Sequence, residues 1–200
     1  MRERPHRYSQ YPKLTGLPEL PVVVVGMDLS LTSTGLAVYG HGHVYRERIK
    51  TGDMRGLRRL FYIRKQVIEF VLAQTTFTEP VPIFIEGYAF AKGDRAHQIG
   101  ELGGIIRTDL AQFDFDVYTV PPGTLKKFVT ADGQAKKPKI VLQLYKRWGI
   151  EVDQEDEADA VGLAIMGAIF VSPPGQCIPG HQVEALGKVT KIWGTGWEKY

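Results

Sequence analysis

Four acidic side chains in this chain fall where ionised groups are costly. Asp28 follows an apolar run, residues 22–27, that opens with four valines. Glu86 closes a second apolar run, residues 81–85. Asp156 and Asp159 stand three apart at the start of a third, residues 155–170. A carboxylate beside a buried segment is unfavourable unless it is paired or binds a cation. Gathered in one pocket, four would repel one another unless cations sat among them. Hard oxygen ligands without a thiolate or imidazole set select Mg²⁺ or Mn²⁺. Two such ions, about 4 Å apart, activate a water and stabilise a leaving oxygen in phosphodiester hydrolysis. Each acid also has a plainer reading: Asp28 as a turn former, Glu86 in a salt bridge to an arginine, Asp156 and Asp159 as helix-dipole partners beside Glu155 and Glu157. All of these holding in one chain is the less economical account, so a metal site is expected.

The elements that must position these acids are legible from spacing. Four β-branched residues, 22–25, predict a central strand buried on both faces. Residues 29–35 are small and polar, a turn into a second strand over 36–39, and residues 44–50 alternate as a third, more exposed strand. Residues 57–72 carry Leu57, Leu60, Phe61, Ile63, Val67, Ile68, Val71 and Leu72 near helical spacing. A short buried strand over 81–86 follows, then a loop over 87–93 holding Tyr88 and Phe90. Residues 99–113 read as a helix with Gly100, Gly103 and Gly104 along one side, which implies close approach of another backbone, the sheet being preferred over a second subunit. A strand over 116–120, a short helix over 124–129, a loop over 130–135 and helices over 136–148 and 155–170 complete the core. Initial strands joined by short turns are antiparallel, and later ones joined through helices are parallel. The fold class is therefore α/β, a mixed sheet flanked by helices. The ends of the first and fourth strands lie side by side, and residues three apart on a helix share a face, so the four acids converge. Residues 1–20 read as an extended basic arm, 21–171 as the domain, and 172–200 as an irregular tail.

The chain has 200 residues, net charge +3, 44% hydrophobic and 24% charged residues, as ordinary globular domains do. One cysteine, Cys177, excludes an internal disulfide and favours a reducing compartment. No secretory signal or membrane-spanning run is visible, so a cytoplasmic location, in a bacterial cell or phage-infected host, is expected. Charge is unevenly spread. Residues 46–69 hold eight bases against three acids, residues 124–151 seven against two, and residues 151–159 six acids. Basic patches around a compact acidic cluster suit a polyanion held over bound cations. Arg58 is one of the basic residues expected to reach nucleic acid.

Gly26-Met-Asp-Leu-Ser-Leu-Thr-Ser-Thr-Gly35, Ile85-Glu86 and Asp156-Glu-Ala-Asp-Ala160 resemble the three acidic motifs of the RuvC family of Holliday-junction resolvases, in the ribonuclease H-like superfamily. The resemblance runs from about residue 22 to 171. It implies a homodimer that nicks a four-way DNA junction symmetrically with Mg²⁺ or Mn²⁺, two ions per site, bound by Asp28, Glu86, Asp156 and Asp159. It also implies two lysines near the scissile phosphate, eleven apart. Lys126 and Lys137 have that spacing, with Lys136 and Lys139 as alternatives for the second, and Lys127 beside the first. The family's aromatic three residues past the strand-end Glu is Ala89 here, between Tyr88 and Phe90, either of which could stack on a base.

Rival readings make different demands. An actin-like nucleotide-binding fold would use residues 26–35 as a phosphate loop, but would need a second lobe and a Gly-rich adenosine motif. A non-catalytic DNA-binding protein would have no use for the full carboxylate set. A nuclease for RNA–DNA hybrids or branched flaps would share the site and differ only in substrate.

Overall fold

A computed structural model describes residues 17, 23–74, 81–87, 94–172 and 178–194. The expected arm (Leu17 apart), Tyr88, Phe90 and Cys177 lie outside the described residues.

Among the described residues, six strands form one sheet in the order β3-β2-β1-β4-β5-β6. β1 (Val24–Asp28), β2 (Ser33–Gly40) and β3 (His43–Lys50) are antiparallel neighbours, with Asp28 opposite Gly35 and Gly35 opposite Arg48. β4 (Pro82–Glu86) joins β1 in parallel, and β5 (Asp116–Val120) joins β4 in parallel. Each parallel step crosses through a helix, as the chain geometry requires. These helices are α1 (Gly56–Gln74) and α2 (Asp94–Gln112). They cover one face of the sheet, on a core that includes Val25, Met27, Leu36, Ile83 and Ile85.

The other face carries α3 (Thr124–Thr130), α4 (Lys137–Trp148) and α5 (Glu155–Val171). Every residue of α5 from Ala158 to Ile169 is buried. A helix apolar all round belongs in an interior, and α5 lies directly on β1 and β2. Two strand glycines permit that approach. A Cβ on Gly26 would stand 2.2 Å from the Ala160 carbonyl oxygen, and one on Gly35 2.0 Å from that of Asp156.

Three expectations are corrected. Gly100 and Gly104 of α2 do not abut the sheet: no atom of the described residues lies within 4 Å of where their Cβ atoms would be, whereas Gly103 is buried. The helix packs through Leu102, Ile106 and Leu110, which turns those two glycines outward. Leu57 and Phe61 are not on the buried stripe of α1 but are 70% and 63% exposed, because the core contact runs through Leu60, Ile63, Val67 and Phe70. The tail is not irregular throughout. α6 (Gly180–Leu186) packs on α3, and β6 (Thr190–Trp193) pairs antiparallel with β5. Seven helical and four strand residues are too few to show a period, but Thr-Lys-Ile-Trp suits a strand once β5 offers an edge.

Candidate active site

β1 and β4 run in parallel with Met27 opposite Ile85, so the next residues, Asp28 and Glu86, end adjacent strands on the same side. α5 enters from above, its first turn seated on the gap left by Gly35, and brings Asp156 and Asp159 to that end. Asp28 feels the charges of Asp159, Glu86 and Asp156, Glu86 feels that of Asp159, and Asp159 that of Asp156. Asp28 is pushed up to about 7, first by burial and then by the charges of Asp159 and Glu86. Burial, then Asp159, raises Glu86, against the pull of Lys126 and a backbone N–H donated by Gly123. Burial likewise raises Asp159, against Lys137 and Lys126.

Asp156 differs. It is held low by Ser33 first, and also by Lys137 and Arg48. The Ser33 hydroxyl is buried and makes no well-formed hydrogen bond, so its effect on Asp156 is that of a nearby dipole. Lys137 Nζ donates to Asp156 Oδ1 at 3.1 Å and lies 3.8 Å from Asp159 Oδ2. Burial pulls the Lys137 ammonium down, but the bond to Asp156 and the surrounding carboxylates outweigh it and leave its pKa raised.

As these side chains stand, no three acidic, His or Cys groups among the described residues already enclose a metal ion. The donor set nevertheless fits one. Asp159 Oδ1 is buried with no hydrogen-bond partner among the described residues, an acceptor whose desolvation they leave uncompensated. Three of the four acids are raised, first by burial and then by neighbouring carboxylates, which is what buried acids without a compensating cation beside them show. Lys137 already sits where a cation is attracted.

The other residues singled out from the sequence are dispersed. Of Lys136, Lys137 and Lys139, it is Lys137 that reaches the carboxylates. Lys139 pairs with Asp132 at 2.9 Å, and Lys136 is exposed ahead of α4. Lys126 projects its charge onto Glu86 and Asp159. Lys127, beside it, is bound to Glu184 of α6 at 2.5 Å. Arg58 is exposed on α1, the helix on the opposite face of the sheet.

Sequence reasoning missed three contributors: Ser33, the Gly123 amide and α6. Ser33 and Gly123 were in plain view, one inside the first motif and one after Pro121-Pro122, but nothing local marks either as facing a carboxylate. α6 braces the helix that carries Lys126. Gln182, 3% exposed, donates its amide to the Phe128 carbonyl oxygen at 3.3 Å. Gln182→Leu leaves that carbonyl short of a partner, and a loss of about 1–3 kcal/mol is expected in a urea melt. No loss would mean that α3 holds its place without α6.

No protein-family model matches the chain. Among curated proteins it is similar to the crossover junction endodeoxyribonuclease RuvC of Rickettsia bellii (strain OSU 85-389), 26% identical over 151 residues that cover 72% of this chain and 94% of that protein. The protein of the same name from Rickettsia africae (strain ESF-5) is 23% identical over the same coverage. Among solved structures, T. thermophilus RuvC in complex with a Holliday junction substrate superposes with a TM-score of 0.63 at 19% identity, covering 86% of this chain and 99% of that one. A second Thermus thermophilus RuvC structure gives 0.59. The sheet and its helices are the ribonuclease H-like fold of these proteins.

Proposed function

We propose that this RuvC-type chain is a metal-dependent endonuclease that resolves four-way (Holliday) DNA junctions by paired nicks, in recombination and repair or in phage DNA processing. The observation that carries the reading is the pocket itself. The α5 carboxylates of Asp156 and Asp159 hold the Lys137 ammonium, those of Asp28 and Glu86 at the ends of β1 and β4 feel its charge, and one oxygen of Asp159 has no hydrogen-bond partner among the described residues. Asp28, Glu86, Asp156 and Asp159 would hold two Mg²⁺ or Mn²⁺ ions, which supply an activated water and charge for the leaving oxygen. Lys126 and Lys137 flank that pocket and would bind the non-bridging oxygens of the scissile phosphate as point charges. Hydrolysis there would replace the bond from phosphorus to the 3′ oxygen with one to a water oxygen, leaving a 3′-hydroxyl and a 5′-phosphate that a ligase can use. Lys127, Lys136 and Lys139 would hold flanking phosphates, Arg58 could meet only DNA reaching the opposite face, and Tyr88 or Phe90 would stack at the junction centre.

A two-fold substrate calls for a two-fold protein. Leu57 and Phe61 on α1, with Ile105 on α2, are exposed apolar side chains. They accompany outward glycines on the sheet face away from the carboxylates, a surface suited to a second copy. No helix among the described residues is long and apolar enough to cross a membrane, and a cytoplasmic location would suit a DNA substrate.

A gel comparing junction, duplex, flap and RNA–DNA hybrid, each with Mg²⁺ and with Mn²⁺, tests the reading. Symmetric nicks in the junction and little cutting of plain duplex are expected. Equal cutting of all four substrates would point to a general nuclease, and no metal-dependent cutting would overturn the proposal.

A further inference from the structure

Among the described residues β3 is an edge strand, and its residues divide cleanly between the two faces. Tyr45 and Ile49 pack into the core under α1, while Val44 packs into the core under α5. Side chains alternate along a strand, so Arg46, Arg48 and Lys50 lie on the α5 face, the face of the carboxylates. Register then locates each one. Lys50 is opposite Ser33, which lies beside Asp156, and Arg48 is opposite Gly35, itself opposite Asp28. The row of strand-end residues that begins in the pocket thus continues outward to two cations at the open edge.

Their pairing differs from that of their neighbours. Arg46 is bound to Glu157 at 2.9 Å, tying β3 to α5. Arg48 donates to the neutral amide oxygen of Gln154 at 2.6 Å, which orients the guanidinium without cancelling its charge. Lys50 is exposed, with no ion pair among the described residues. Two acids near them are engaged, Glu157 by Arg46 and Asp156 by Lys137, and the charge of Arg48 also acts on Asp156. Glu47, between the two cations in sequence, points to the other face, where it accepts from the Tyr45 hydroxyl.

Positions two apart on a strand are about 7 Å apart, comparable to the separation of neighbouring phosphates along one nucleic-acid strand. We propose that Arg48 and Lys50 form a phosphate-binding ledge for the DNA strand that leaves the carboxylate pocket toward the β3 edge. The ledge rests on the nuclease reading and adds to it a direction for the strand. It gives two successive phosphates one oriented guanidinium and one mobile ammonium, contacts that position DNA without reading its sequence. Charges on an edge strand also deter pairing with other chains, and that role alone would leave DNA binding untouched.

The test is junction binding by the full chain, followed by fluorescence anisotropy with Ca²⁺ in place of Mg²⁺, between 50 and 200 mM salt. Each phosphate contact contributes about 0.9 to the slope of log affinity against log salt. The double variant R48Q/K50Q is expected to flatten that slope by about 1.5–2, and to weaken binding equally for junctions of different sequence. R48K/K50R, which keeps both charges, should retain the wild-type slope, and E47Q on the opposite face should leave it unchanged. A wild-type slope in R48Q/K50Q, with an unchanged thermal melt, overturns the ledge. If the wild-type chain itself neither binds nor nicks the junction, the nuclease reading is what has failed. If it does both and only the slope prediction fails, the ledge falls alone.

Discussion

Asp28→Asn is expected to abolish junction cutting and, at the same time, to make the metal-free protein more stable. Both effects come from one misfit. The folded Asp28 carboxyl titrates near 7 rather than at 3.8, because burial and the charges of Asp159 and Glu86 oppose its ionisation. Between those values the folded state binds a proton that the unfolded state does not, so stability declines as pH rises through about 7. Three units correspond to about 4 kcal/mol at most, and sharing of charge among the coupled acids brings this nearer to about 2–4 kcal/mol. Asparagine keeps the shape and removes the charge. In EDTA at pH 8 the variant should melt about 5–10 °C above wild type. At pH 5 the difference should shrink, because wild-type Asp28 is then protonated. Added Mg²⁺ should raise the wild-type melting temperature and leave the variant nearly unmoved, since binding to the folded state is what supplies that gain. A variant that cuts normally removes Asp28 from the chemistry. A variant no more stable than wild type at pH 8 shows that its charge is not strained.

Gly35→Ala should be nearly as damaging, although Gly35 has no chemistry of its own. Its new methyl group would fall 2.0 Å from the Asp156 carbonyl oxygen, a backbone atom that cannot swing aside. The first turn of α5 must lift, taking Asp156 and Asp159 away from Asp28 and Glu86. Overpacking of this kind costs about 1–3 kcal/mol, and a misplacement of about 1 Å costs about a hundredfold in rate. The expected result is a folded protein with a lowered melting temperature and at least a hundredfold slower nicking at saturating Mg²⁺. Gly104→Ala is the matched control. No atom of the described residues lies within 4 Å of that position, so the folded monomer should gain about 1 kcal/mol of helix propensity. If Gly35→Ala cuts at the wild-type rate, the seating of α5 does not set the geometry of the site.

The contrast between Gly35 and Gly104 marks where the residue string stops being informative. Both are glycines in regular elements, and nothing in the flanking residues says which one faces another backbone. The helical glycines invited the close-contact reading, yet Gly100 and Gly104 are open while Gly103 is buried, and the strand glycines of the first motif make the close backbone contact. The second lysine is a similar case. Lys136, Lys137 and Lys139 are equivalent by composition, and the rotation of α4 aims Lys137 at Asp156 while Lys139 finds Asp132.

What could be read directly was whatever depends on near neighbours along the chain. Strand and helix periods, the order of elements, the acids closing each apolar run, and the shared face of Asp156 and Asp159 all follow from the repeat of the backbone and the cost of burying charge. What had to wait for the packed molecule depends on residues far apart in the chain: the seating of α5 on Gly26 and Gly35, the bracing of α3 by Gln182, the strand added by residues 190–193, and the alignment of Lys50 with Ser33. Those contacts are chosen by which surfaces exclude water together, and that choice belongs to the whole chain.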